Sequence, residues 1–99
     1  MISDIERSAI ALHLLHHGTE NDLDIDWTVQ ELRGHGYVLD ASTVVAHMTR
    51  LERAGLLDAT SLVVEGHYRR TYRTSPMGLL TLERGRLIIE RLAEELLGR

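Results

Sequence analysis

Cysteine is absent from the 99-residue chain, which excludes disulfides, thiol redox switching and Cys-based zinc sites. Phenylalanine is missing as well. One Trp and three Tyr are the only aromatic residues, so aliphatic packing must build the core. Lysine does not occur, and all eleven basic residues are Arg. No apolar run reaches the length of a membrane span, and the opening MISDIERSAIALHLL carries neither a basic leader nor a small-residue cleavage site. A cytoplasmic protein with no membrane partner is expected. There is also no nucleophile motif, no Gly-rich phosphate loop and no acid–base pair, so neither an enzyme nor a cofactor is expected.

What is present fits one globular domain with a modest core, at 43% hydrophobic and 26% charged residues. The net charge of −4 runs against the basic character of many nucleic-acid binders. Its distribution matters more than its sum. Arg69, Arg70 and Arg73 fall within five positions, whereas Glu20, Asp22, Asp24, Asp26 and Glu31 crowd an earlier segment. A basic tip on an acidic body can still dock on phosphate, because attraction follows the local field.

Punctuation along the chain predicts the elements. Ser3 and Glu6 suit a capping box opening a first helix that ends at His17-Gly18. A short second helix starts near Trp27, capped by Asp26 or by Thr28 with Glu31, buries Val29 and Leu32, and stops in RGHG, where Gly34 or Gly36 can turn left-handed. Asp40 caps a third helix, about 41–54, whose inward stripe is Val44, Met48 and Leu51 and whose end is Gly55. LLDATSLVV and HYRRTYRTS flank Glu65-Gly66 as a β-hairpin. Ser75-Pro76 opens a last helix that runs to about Leu97. The expected fold is mainly α with a small β-hairpin wing, a winged helix-turn-helix over residues 1–75 followed by a C-terminal dimerisation helix over 76–99.

That architecture assigns functions to faces. Thr43, Ala46, His47 and Arg50 recur at i, i+3, i+4 and i+7 on the third helix, the recognition helix, and would read the major groove. Ser42 or Thr43 would bind phosphate from its first turn. In the wing, about 62–73, alternation puts His67, Arg69, Thr71 and Arg73 on one side and Tyr68, Arg70 and Tyr72 on the other. Arg69, Arg70 and Arg73 are expected to grip the DNA backbone, and Tyr72 to sit in the core. Leu82, Gly85, Ile89, Leu92 and Leu96 follow the 3-4-3-4 spacing of a short coiled-coil seam, with Gly85 allowing close approach. A homodimer on a palindromic double-stranded DNA site follows. His13, His16 and His17 have helical spacing suited to a metal. No carboxylate shares their stretch, however, and the helix dipole accounts for His16-His17, so no metal ligand is assigned. A metal-responsive regulator and a protein-interaction module remain the rival readings.

Two motifs carry a resemblance. Leu39 to Leu57, LDASTVVAHMTRLERAGLL, follows without a gap a pattern of small cap, short helix and x-R-L-E-x-x-G-L-L. Tyr72 to Gly78, YRTSPMG, matches a strand exit in which an aromatic precedes a Ser/Thr cap and then a glycine. On these residues the chain resembles the PadR-type winged-helix transcription regulators; R-L-E-x-x-G-L also recurs in MarR-like and ArsR-like relatives of the same superfamily. The resemblance implies a homodimeric repressor or activator that dimerises through its last helix. Some members of that family bind small hydrophobic molecules at the dimer interface, which leaves room for a small-molecule effector that these residues do not identify. Where the family commonly has Tyr-Pro in the recognition helix this chain has Val45-Ala46, so the phosphate-contacting Tyr is missing.

Overall fold

Capping chemistry sets where each helix begins, and tertiary contacts move two boundaries from their expected places. The computed structural model describes residues 3–98. Helix α1 (Asp4–Glu20) starts as its sequence predicts, with the Glu6 amide donating to Ser3 Oγ at 3.1 Å. It continues past Gly18, which is buried inside the helix rather than ending it. A Cβ there would collide with the Thr74 hydroxyl, and that hydroxyl donates to the Leu15 carbonyl at 2.7 Å. Gly18 thus marks a close crossing.

Helix α2 (Ile25–Gly34) begins earlier than expected because Asp24, not Asp26 or Thr28, is the cap, accepting from the Trp27 amide at 2.7 Å. Thr28 is buried and donates to the Asp24 carbonyl at 2.6 Å. The cause lies far along the chain. Leu23 forms an antiparallel bridge with Tyr72, with N···O distances of 2.8 and 3.0 Å. Extended backbone therefore runs through Leu23 to the Asp24 cap, and the helix starts at Ile25. After α2, Gly36 takes φ 91°, and Arg33 donates to the Leu39 carbonyl at 3.2 Å. This tight turn leads into α3 (Ala41–Arg53), capped by Asp40, which accepts from the Thr43 amide at 2.9 Å.

Strands β1 (Leu57–Val64) and β2 (His67–Thr74) pair antiparallel from Leu57↔Thr74 to Val64↔His67. Glu65 and Gly66 both have positive φ, 51° and 77°. A two-residue turn with both residues left-handed matches the twist of the strands it joins. The strands fall where LLDATSLVV and HYRRTYRTS are expected, and the root of the hairpin, Leu57 and Tyr72, is part of the core. Helix α4 (Pro76–Leu97) opens on Ser75, whose Oγ accepts from the Gly78 amide at 3.0 Å and donates to the Gly55 carbonyl at 2.6 Å. One aliphatic cluster, including Ile10, Leu14, Leu32, Met48, Leu57 and Leu82, draws on every helix and the hairpin root.

The inward stripe of α3 holds as expected: Val44, Met48 and Leu51 are buried. His47 joins them and corrects its assignment as an outward reader, being only 6% exposed. Its Nδ1 accepts from the Arg50 guanidinium at 3.0 Å. Because Arg can only donate, this bond selects the neutral ring. Burial pushes the His47 pKa below its ordinary value, and the charges of Arg50 and then Arg7 push the same way.

Two tests of this packing follow. Gly18→Val forces α1 off β2 and should cost about 1–3 kcal/mol in denaturant melts. Gly34→Ala, with open space at its Cβ position, should be neutral or stabilising; equal losses would refute the crossing. For His47, whose pKa in the folded chain lies below the ordinary value of an imidazole, stability is fully present above the unfolded pKa of about 6.5 and is lost as pH falls through it towards the folded value. The melting temperature of the wild type should therefore fall more steeply than that of His47→Gln between about pH 7.5 and about pH 5.5.

Candidate nucleic-acid interface

The rotation of α3 about its axis decides which residues face out. At roughly 100° per residue, the direction opposite Val44, Met48 and Leu51 runs through Ser42, Ala46, Thr49 and Arg53. Ser42, Val45, Ala46, Arg50 and Arg53 are exposed, Thr43 and Thr49 are half-buried, and His47 is inside. The outward surface is thus turned by roughly a quarter of a turn from the set at i, i+3, i+4 and i+7. Val45, Thr49 and Arg53 were missed, although the inward stripe already pointed away from them. Ser42 is exposed but its hydroxyl donates to Asp40 Oδ1 at 2.9 Å. The Asp40 carboxyl is held below its ordinary value by the Thr43 amide first, then by the Thr43 and Ser42 hydroxyls, which keeps the cap ionised.

Beyond the Asp40 cap, the charge along α3 is mostly positive. The first turn of α3 has no acid, and Arg50 and Arg53 sit in the last turn. Glu52, the acid within α3, is covered by Arg70, whose Nη2 donates to both carboxylate oxygens at 2.9 and 2.7 Å. Arg70 also donates to the Tyr72 hydroxyl at 3.2 Å, with its guanidinium 5.6 Å from that ring. Arg70 thus braces β2 against α3. Its guanidinium is held even more firmly protonated than usual, by the Glu52 hydrogen bonds first and then by the Tyr72 and Tyr68 hydroxyls.

The other two wing arginines are exposed and lean on the acidic segment. Arg69 meets Asp24 at 3.2 Å and Arg73 meets Asp22 at 3.4 Å. Exposed pairs of this kind hold weakly, at ~0–1 kcal/mol, so both arginines remain able to exchange partners. The tip of the wing is exposed and apolar, with Leu62, Val63, Val64 and Tyr68 all open.

The expected dimer seam divides in two. Leu82 is 3% exposed and belongs to the chain's own core. Gly85 faces Leu12 of α1, whose Cδ2 a Cβ would meet at 2.5 Å, so its close approach is intramolecular. Ile89, Leu92 and Leu96 remain 52%, 46% and 73% exposed, with Ile88 beside them at 45%. In α4 the buried residues are Gly78 and Leu82, so the helix is anchored by its first two turns. Of the α1 histidines, His16 turns to Glu20 and Arg86, at 3.4 and 3.3 Å, whereas His13 and His17 turn towards α2.

No protein-family model matches the chain. Its sequence is 41% identical over 95 residues to the transcriptional regulator Rv3488 of Mycobacterium tuberculosis, an alignment covering 96% of this chain and 89% of that protein. Among solved structures it is similar to a PadR-family transcriptional regulator from Eggerthella lenta, with a TM-score of 0.82 and 26% identity over 94% of this chain and 82% of that one. A transcriptional regulator from Clostridium thermocellum shares the fold, with a TM-score of 0.79 and 21% identity over 97% and 96% of the two chains. The helix-turn-helix, the winged hairpin and the long last helix have the same order and packing as those regulators, and this chain belongs to the PadR family of transcriptional regulators.

Proposed function

We propose that this regulator acts in the cytoplasm as a homodimer that binds a palindromic double-stranded DNA site, with α3 in the major groove and the hairpin along the backbone. The observation that carries this reading is the outward surface of α3. It combines small residues with two arginines, and its acid is neutralised by Arg70. Ala46, Val45 and the Thr49 methyl suit thymine methyl groups, and Arg50 and Arg53 suit guanine or phosphate. Arg69 and Arg73 serve as backbone contacts. Residues 1–75 hold DNA and residues 76–99 hold the partner, with Leu82 joining the two parts. No helix of the structure is long and apolar enough to cross a membrane.

The dimer rests on α4. Ile88, Ile89, Leu92 and Leu96 lie on one side of the helix, and a groove of about 530 Å³ runs from Ile89 and Leu92 to Ile5 and Leu12 on α1. A second copy of the chain, related by a two-fold axis, presents the same aliphatic surface to this one and pairs two α3 helices with two half-sites. The rival is a winged helix that binds protein alone. The apolar wing tip and the net charge of −4 favour it.

Selection from a random duplex library should return an inverted repeat; recovery of no sequence would favour the rival. With the selected site, Arg50→Ala and Arg53→Ala should each cost about 1–3 kcal/mol and relax preference at particular positions. Arg69→Ala should instead weaken all sequences alike and lower the salt slope by about 1. Identical loss of specificity from all three would sink the division of roles. Sedimentation of Leu92→Arg and Leu96→Asp should show monomers where the wild type is a dimer, with inverted-repeat binding reduced to that of a half-site. A wild type that sediments as a monomer at all concentrations would remove the dimer.

A further inference from the structure

Four side chains that can ligate a metal converge where α1 packs on α2. His13 and His17 stand one turn apart on one face of α1, Glu31 lies in the last turns of α2, and His35 is the residue that caps the end of α2. The Nε2 atoms of His17 and His35 lie 3.4 and 3.3 Å from the same Oε1 of Glu31. One ring nitrogen from each of His13, His17 and His35 lies within 4.8 Å of the other two. Two aromatic rings wall the cluster: Trp27 stands edge-on to His17 at 5.5 Å and Tyr37 to His13 at 5.4 Å. The His17 side chain is 16% exposed and that of His35 46%, so the cluster is closed on the α1 side and open beside His35.

The spacing of His13, His16 and His17 suits a metal, but their own helical stretch holds no carboxylate. Helix α2 supplies one in Glu31, and its capping residue His35 adds a third imidazole. An ion-pair network accounts for His17, Glu31 and His35 but leaves His13 without a purpose. Its ring lies 4.7 Å from that of His35, where two protonated rings would repel. Neutral imidazole is the ligating form. Three imidazole nitrogens are a zinc-type donor set, with the Glu31 carboxylate beside two of them as a fourth donor, and imidazole-rich sites favour zinc, nickel or cobalt over magnesium or calcium.

We propose that His13, His17, His35 and Glu31 bind one divalent transition-metal ion of the zinc class, which clamps α1 to the first helix of the helix-turn-helix. His16 and Glu20 offer His17 another set of partners, exposed and confined to one helix, and the experiment separates the two. Chelator-treated full-length protein is titrated with Co²⁺ while its visible d–d absorption is followed, and Zn²⁺ is then added as competitor. The expected result is one Co²⁺ per chain with the intensity of a tetrahedral site, displaced by Zn²⁺. His13→Ala, His35→Ala and Glu31→Gln should each weaken binding by more than about tenfold, and His16→Ala should leave it intact. Circular dichroism confirms that each variant is folded, and the more exposed His35→Ala keeps the test decisive if His13→Ala unfolds. Absence of Co²⁺ absorption, full binding by folded His35→Ala, or equal loss in His16→Ala would overturn the site. The readout needs no DNA, so its outcome is independent of the regulatory reading.

Discussion

The burial of one stripe of α3 governs what the rest of the molecule can do. Val44, Met48 and Leu51 reach the core from α3, and His47 is drawn in beside them. Three aliphatic side chains at ~1.5–3 kcal/mol each outweigh the preference of one imidazole for water. The neutral ring accepting from Arg50 removes most of the remaining penalty. Once that stripe is buried, the rotation of α3 is fixed, and its outward residues follow geometrically. On the proposed reading, DNA meets Val45, Ala46, Thr49 and the two arginines.

A second constraint holds the hairpin in register with that helix. The Leu23–Tyr72 bridge stitches β2 to the chain entering α2, and Arg70 reaches from the same strand to Glu52 on α3. The Thr74 hydroxyl ties the strand's end to α1. One strand thus contacts the entry to α2, the body of α3 and the end of α1. The root of the wing is therefore tied to α3, while every residue from Ser61 to Arg70 in the distal half of the hairpin is exposed.

These two constraints also explain what the sequence could and could not reveal. The caps at Ser3, Asp40 and Ser75, the Glu65-Gly66 turn and the stripe of α3 are local, decided within four residues, and were legible. The end of α1 and the start of α2 were misplaced because Thr74 and Tyr72, more than forty residues away in the chain, decide them. Leu82 and Gly85 fit a coiled-coil spacing, yet that spacing does not distinguish a partner's helix from α1 of the same chain. Arg70 read as a free cation because Glu52 lies on another element. The pairing of His13 and His17 with Glu31 and His35 depends on which faces of two helices meet, which no periodicity within either helix specifies. The rotation of α3 is the exception: the inward stripe was sufficient to place Thr49 and Arg53 outward, and spacing from Thr43 obscured it.

The pairing of the wing arginines bears on how a chain of net charge −4 can approach a polyanion. Arg69, Arg70 and Arg73 each have an acidic neighbour, Asp24, Glu52 and Asp22. A phosphate contact by any of them is therefore an exchange of partners, and its net gain is the difference between two ion pairs rather than one whole pair. For Arg69 and Arg73 the lost pair is exposed and single-pronged, so the exchange runs easily towards phosphate. It also uncovers Asp24 and Asp22, which then repel the same backbone and restrain the wing's non-specific attraction. Arg70, held by both Glu52 oxygens and the Tyr72 hydroxyl, has more to lose and uncovers an acid on α3 itself, so it stays a strut. On the proposed reading, the wing contributes less to indiscriminate binding than three arginines suggest. Discrimination between sites then falls to α3, whose Arg50 and Arg53 have no acid to surrender within their own helix once Glu52 is taken.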